Sequence, residues 1–184
     1  MSVAVARLAA TRLLGLGLLT ILVAVIADRL LRWRARGEPG PIDSLAVIEA
    51  PIEAVWPLLI DIPGQPRWMH DMKSVRMTTG PPLRIGSRGE ATVRMYGLSV
   101  TDPVEVTVLE PPTRFGLRHE GRFSGGGTFE LEAGANERTT IVRWSEVLRP
   151  PILPNLADIV TRPVFRRVFQ ADLLRFRDLV EAAG

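Results

Sequence analysis

Two titratable residues, His119 and Glu146, stand at the ends of alternating apolar patterns. Residues 115–119 alternate Phe, Leu and His, and residues 142–146 alternate Val, Trp and Glu. Because alternate side chains of a strand face the same side of a sheet, both residues are predicted to point inward. A histidine exchanges protons near neutral pH, so the pair could orient a ligand's polar group or act as acid and base. The structural alternative places both at strand ends, near solvent or beyond a bulge that reverses the alternation.

Other chemical motifs are missing from the sequence. Without cysteine, the chain has no disulfides, thiolate metal ligands or cysteine nucleophiles. Its two histidines lie far apart, with no metal-ligand spacing, and neither a Gly-x-Ser-x-Gly nor a Walker-type loop occurs. The glycine-rich residues 124–127 lie among predicted strands and not before a helix, which favours a flexible hairpin or bulge over a phosphate cradle. We therefore predict no metal and no cofactor, and only the tentative catalytic pair His119 and Glu146.

Seven strand-like stretches precede a long helix and could position this pair. Turn residues separate the strands, and alternation in residues 104–108 and 129–132 predicts one buried and one solvated face. Short connections predict antiparallel pairing, with two small helices near 52–61 and 64–68. The predicted strands are Ile42–Glu49, Lys73–Thr79, Gly89–Tyr96, Ser99–Leu109, Arg114–Glu120, Arg122–Glu132 and Thr139–Leu148.

The final segment, from Asn155 to about Ala182, predicts an amphipathic helix, because its apolar residues recur at three- and four-residue steps. Pro163 is expected to bend or split it. This helix is the only element long enough to cover the apolar face of the sheet, so the fold class is α+β. Its arginines are predicted to form a solvated face balanced by acidic residues, with contact to anionic lipid headgroups as the alternative.

The N-terminal segment predicts a membrane anchor. Residues 13–27 are uncharged, and residues 8–27, which include Arg12, reach the 20 residues that a membrane-spanning helix needs. Trp33, among arginines, is typical of an interfacial anchor. A cleaved signal peptide and a buried soluble helix are the alternatives. We divide the chain into an anchor with an arginine-rich flank (1–37) and a ligand-binding domain (38–184).

The basic charge belongs to the anchor. Residues 1–37 carry a net charge of +5, whereas the remainder carries −2. A nucleic-acid-binding domain needs the positive field on itself, so we predict no nucleic-acid partner. Arginines crowd the distal flank of the anchor, which favours a single-pass membrane protein with its domain in the cytoplasm. The sequence leaves the oligomeric state open.

An ordered set of residues, rather than one specific motif, gives the domain a likeness to a known family over about residues 42–182. These residues are Ala50, Pro51, Val55, Trp56, Pro57, Leu58, Leu59, Asp61, Trp68, Gly86, Glu110, Pro111, Pro112, Arg114 and Trp144. In them the domain resembles the START/Bet-v-like (SRPBCC) superfamily, in its polyketide cyclase/dehydrase and lipid transport branch. The resemblance implies a helix-grip fold, in which a seven-stranded curved sheet surrounds the C-terminal helix and encloses a hydrophobic cavity.

Alternation selects the side chains predicted to face the helix, including Val104, Val106 and Val108 on the fourth strand. Cavity wall and packed core look the same in a sequence. The predicted cavity lining is Met95, Val106, Leu117, His119, Leu131, Trp144, Glu146, Phe165 and Phe169.

The resulting hypothesis is membrane-tethered binding or transfer of a lipid or polyketide-like molecule. A small aromatic cyclase or dehydratase that uses His119 and Glu146 is one alternative. An interaction module for another membrane protein is the other, and an interior packed solid with Phe165, Phe169 and Trp144 would favour it. Family analogy names neither the ligand nor a reaction.

Overall fold

The structure is a computed structural model. Within the backbone ranges given next, side chains are described from Leu13 onward, except at position 95. The described backbone comprises residues 3–34, 40–95, 97–121, 124–135, 137–150 and 152–184.

Three α-helices, one 3-10 helix and seven strands follow the predicted order along the described chain. The helices are α1 (Val3–Arg34), α2 (Ile52–Leu59), a 3-10 helix (Ile62–Arg67) and α3 (Pro154–Glu181). The strands are β1 (Ile42–Ile48), β2 (Met72–Met77), β3 (Arg88–Met95), β4 (Leu98–Glu110), β5 (Arg114–His119), β6 (Ser124–Ala133) and β7 (Thr140–Arg149).

All seven strands form one antiparallel sheet in the order β1-β7-β6-β5-β4-β3-β2. Strands that follow one another in sequence from β2 to β7 are neighbours in the sheet, and β1 pairs with β7 at the edge. The predicted α+β helix-grip class, with its curved sheet, long C-terminal helix and apolar N-terminal helix, is confirmed.

A bulge in β4 overturns one predicted orientation. The register with β5 shifts between Val106 and Val108, so that Leu109 pairs with Phe115. The extra residue reverses the alternation beyond it. Leu109 packs against the core, and the prediction that Val108 points inward is wrong.

Helix α3 runs along β1, the edge strand of the sheet. The Gln170 side chain accepts a hydrogen bond from the Leu45 amide (3.1 Å) and donates one to the Leu45 carbonyl (2.9 Å). The Glu49 amide donates to a Glu181 carboxylate oxygen at 2.9 Å. The helix thereby satisfies backbone groups that an open edge would expose. Pro163 does not split it, because Pro154–Glu181 is continuous.

The inner half of the core is built around Trp68. Its ring centroid lies 5.1 Å from that of Phe176 and 6.2 Å from those of Phe129 and Trp144. All four residues are almost completely buried. Tilted and edge-on contacts of this kind stabilise aromatic cores beyond the burial of their area.

A buried carboxylate fastens α3 to the loop before β2. Asp172 accepts hydrogen bonds from the His70 amide (3.0 Å) and from Arg175 Nη1 (2.6 Å). Burial raises the pKa of Asp172, because the charged form loses hydration that these bonds only partly replace.

Among the described residues, the Leu13–Arg34 part of α1 is long and apolar enough to cross a membrane, with a mean hydropathy of 2.1. By length and composition it equally fits a signal sequence. Only 6% of the apolar stretch is buried against the rest of the chain.

Candidate functional site

Strands β5 and β7 carry His119 and Glu146, and β6 lies between them. In the register of the sheet His119 pairs with Gly125, and Glu146 pairs with Gly127. Two strand spacings put the β5 and β7 backbones about 9–10 Å apart. Because the glycines present no side chain between them, the two long polar side chains can meet above β6.

The structure brings this predicted pair together. His119 Nε2 lies 2.9 Å from Glu146 Oε1. The other carboxylate oxygen, Oε2, accepts a hydrogen bond from Trp144 Nε1 at 3.0 Å. The Glu146 side chain is 5% exposed and that of His119 is 27% exposed. The buried carboxyl group of Glu146 therefore contacts a histidine that solvent still reaches.

Gly127 makes this arrangement possible. A Cβ built at Gly127 would overlap Glu146 Oε2 and lie 2.8 Å from Trp144 Nε1. The prediction of a hairpin or bulge at residues 124–127 is wrong, because these residues open β6 and pair regularly with β7. Leu131, Phe129 and Gly127 occupy alternate positions of the strand. This alternation is a sequence signal that the inner face of β6 has no side chain at Gly127.

A row of aromatic rings leads to the polar pair. The Phe165 and Phe169 rings are stacked with centroids 5.7 Å apart, and the centroid of Phe169 lies 4.9 Å from that of Trp144. Trp144 then donates to Glu146, which contacts His119. Two helix residues and three strand residues thus form one continuous array, apolar at one end and ionisable at the other.

The residues predicted to line a cavity differ in burial. Val106, Leu131 and Trp144 are buried in the core, where Trp144 stacks on Phe129 with centroids 4.9 Å apart. Leu117, His119, Phe165 and Phe169 are partly exposed, and Glu146 is buried. Met95 lies on β3, with its side chain outside the described part. Buried side chains around Trp68 therefore fill the inner half of the predicted hollow. The outer half, beside Leu117, His119, Phe165 and Phe169, borders solvent.

Two open depressions occur elsewhere on the described surface. One, of about 290 Å³, lies over β1 and β7 beside Asp43, Arg143 and Gln170, and Trp144 borders it. The other, of about 240 Å³, lies between the 3-10 helix and the β2–β3 connection. Neither contains His119 or Glu146.

Comparison with known proteins identifies the family. Residues 42–181 match the family described as polyketide cyclase/dehydrase and lipid transport. The match spans the whole sheet and all of α3. The chain belongs to this family. No curated protein matches it.

Solved structures share the fold of this polyketide cyclase/lipid transport domain. DR_A0006 from Deinococcus radiodurans is 23% identical, with a TM-score of 0.58, covering 79% of this chain and 100% of its own. TTHA0849 from Thermus thermophilus is 20% identical, with a TM-score of 0.66, covering 78% and 99%. XoxI from Bacillus cereus is 16% identical, with a TM-score of 0.61, covering 77% and 96%. At these identities the likeness establishes the fold alone.

Membership in the polyketide cyclase/lipid transport family supports hydrophobic ligand binding in general terms. Because the family description covers more than one chemistry, it assigns no site residues to this chain.

Proposed function

We propose that the domain binds a hydrophobic small molecule that carries one polar group, and that α1 holds it at a membrane. The ligand would occupy the outer half of the space between the sheet and α3. Its apolar part would contact Leu117, Phe165 and Phe169, and its polar group would meet His119. The observation that carries this proposal is the array Phe165–Phe169–Trp144–Glu146–His119.

The physical argument rests on the contrast between the two halves of the interior. Trp68 and Phe176 are at most 1% exposed, so the inner half leaves no apolar surface for a guest. In the outer half, Leu117, Phe165 and Phe169 stay partly exposed around an ionisable pair. Ligand sites combine apolar walls with a few fixed polar groups, which is the composition found here.

The tether supplies proximity to a lipid-soluble ligand. Helix α1 has the length of a membrane span, and the interfacial residue Trp33 is 81% exposed. A domain held at a bilayer samples lipid-dissolved molecules at high effective concentration. We place the domain on the cytoplasmic side, because the arginines flank the distal end of α1.

A second candidate function is acid–base catalysis on the bound molecule. The 2.9 Å contact between His119 and Glu146 favours it, since a carboxylate that orients an imidazole is a recurring feature of catalytic bases. In this role His119 would transfer the proton and Glu146 would orient it. Cyclisation or loss of water are reactions that such a pair could promote.

The test is mass spectrometry of small molecules that co-purify with the full chain from membranes in mild detergent. Leu117→Trp fills the proposed space with a bulky ring. Val47→Trp is the matched control, because Val47 is 50% exposed on β1 and alternates with the buried Ala46 and Ile48. We expect one hydrophobic species in the wild-type protein and in Val47→Trp, and its loss from Leu117→Trp.

A folded wild-type chain without a guest, or equal amounts of guest in both variants, would refute the binding proposal. The first result would favour the interaction module, in agreement with the contacts among Phe165, Phe169 and Trp144. His119→Gln and Glu146→Gln separate binding from catalysis. An enzyme would convert the co-purified molecule, and the variants would retain the molecule but stop the conversion.

A further inference from the structure

The proximal segment of α3, residues 154–165, exposes a stripe of apolar side chains. Ile159, Val160 and Val164 are 55%, 69% and 44% exposed, and Pro163 is exposed between them. At 100° per residue these four positions fall within about 140° of the helix circumference. Ile152, just before the helix, is 75% exposed. Contiguous apolar exposure of this kind marks a surface that contacts something other than water.

Hydrogen bonds attach the start of this segment to α1. The buried carboxylate of Asp28 accepts from the amides of Asn155 (2.9 Å) and Leu156 (3.0 Å) and from Asn155 Nδ2 (3.1 Å). Asp28 thus satisfies amides that the first turn of α3 leaves without helical partners. The contact fixes where α3 begins relative to the proposed membrane helix.

The attachment point lies at the end of the apolar stretch. Asp28 is 15 residues beyond Leu13, which corresponds to about 22 Å of helix. The exposed arginines Arg29, Arg32 and Arg34 follow it on α1. In the proposed insertion of α1, the start of α3 therefore lies beside the boundary between lipid tails and headgroups.

Basic residues follow the stripe on the same helix face. Arg166 and Arg167 are exposed and fall within or next to the arc of the apolar stripe, at −20° and 80° from Ile159 when each residue turns the helix by about 100°. No carboxylate among the described residues pairs with either guanidinium. Apolar side chains with adjacent arginines are the composition of a helix at a bilayer surface, where the cations meet lipid phosphates.

We propose that the proximal segment of α3 is a second membrane contact, lying in the interfacial region of an anionic bilayer beside α1. Ile159, Val160 and Val164 enter the region between headgroups and acyl chains, and Arg166 and Arg167 pair with phosphates. The inference depends on the proposed membrane insertion of α1.

The cysteine-free sequence allows single-cysteine labelling without background. Val160→Cys reports the stripe, Leu22→Cys reports α1, and Val47→Cys reports an exposed strand surface. Each full-length variant carries a bimane fluorophore in vesicles of phosphatidylcholine and phosphatidylglycerol. Brominated lipid acyl chains quench a label in the bilayer, and iodide quenches a label in water.

We expect brominated lipid to quench both label 22 and label 160, and iodide to quench label 47. Iodide quenching of label 160, with label 22 quenched by lipid, would refute the second contact and leave the anchor intact. Label 160 shielded from both quenchers would indicate a covering protein and also refute the proposal. Iodide quenching of label 22 would refute the anchor and, with it, this inference.

Discussion

Replacing Gly127 with alanine should destabilise the protein, although the same change in an ordinary strand stabilises it. Alanine is favoured over glycine in strand interiors by roughly 0.5–1 kcal/mol. At Gly127, however, the new Cβ would overlap Glu146 Oε2 and lie 2.8 Å from Trp144 Nε1. The Glu146 carboxylate must then move, because β6 and β7 are paired in continuous register on both sides of Gly127 and Glu146 and their backbones cannot separate there.

The magnitude follows from what that movement breaks. A hydrogen bond to a charged group contributes about 1.5–3 kcal/mol, and overpacking a core costs about 1–3 kcal/mol. Subtracting the gain in β-propensity from the sum of these two costs leaves an expected loss of about 1.5–5.5 kcal/mol in the free energy of unfolding. Urea denaturation of the full chain in detergent micelles, followed by tryptophan fluorescence, measures it. Gly80→Ala is the control, because nothing lies within 4 Å of the Cβ that it adds.

A double-mutant cycle tests the cause. In a Glu146→Ala background the space of the carboxylate is vacant, so Gly127→Ala should cost much less there than in the wild-type protein. An equal cost in both backgrounds would show that the overlap with Glu146 is not responsible. A stabilising effect of Gly127→Ala in the wild-type protein would refute the described geometry of the pair itself.

Three further predictions concern the attachments of α3. Burial raises the pKa of Asp172, so its carboxyl group binds a proton more tightly in the native state than in the unfolded state. The stability that this proton contributes is lost as the pH rises above about 4, the pKa of an unfolded aspartate. Relative to Asp172→Asn, the wild-type protein should therefore lose stability from pH 4 towards neutrality, as measured by urea denaturation at each pH. Gln170→Ala removes two hydrogen bonds to the Leu45 backbone and should cost about 1–2 kcal/mol, whereas Gln170→Glu should retain only the acceptor half. Asp28→Ala removes the cap of α3 at a cost of about 0.5–2 kcal/mol, which hydrogen exchange at the Asn155 amide should report as faster opening with little effect on β-sheet amides.

Local patterns were sufficient to predict the strands and the facing of most of their side chains. Glycine and proline separate the seven stretches, and alternation placed Phe115, Phe129 and Trp144 on one face, where all three are buried. The same alternation brought His119 and Glu146 to one side, and the structure joins them. These features follow from neighbours in the sequence, which is why a single chain reveals them.

Features that depend on several strands or on distant segments were not predictable in this way. The bulge in β4 is hidden because residues 104, 106, 108 and 109 are all apolar, so either alternation fits. The role of Gly127 depends on a carboxylate from the next strand. The sequence indicates only that Asp28 flanks the apolar helix, whereas its hydrogen bonds reach residues more than 120 positions away.

The position of Trp68 explains why family membership does not fix the size of the ligand space in this chain. Its ring enters from the end of the 3-10 helix and contacts rings from β6, β7 and α3 at once, which closes the inner half of the interior. In the proposed binding mode, a guest therefore lies further out, beside Phe165, Phe169 and His119. The residues that close the inner half of the interior thus leave the outer half as the space for the proposed binding.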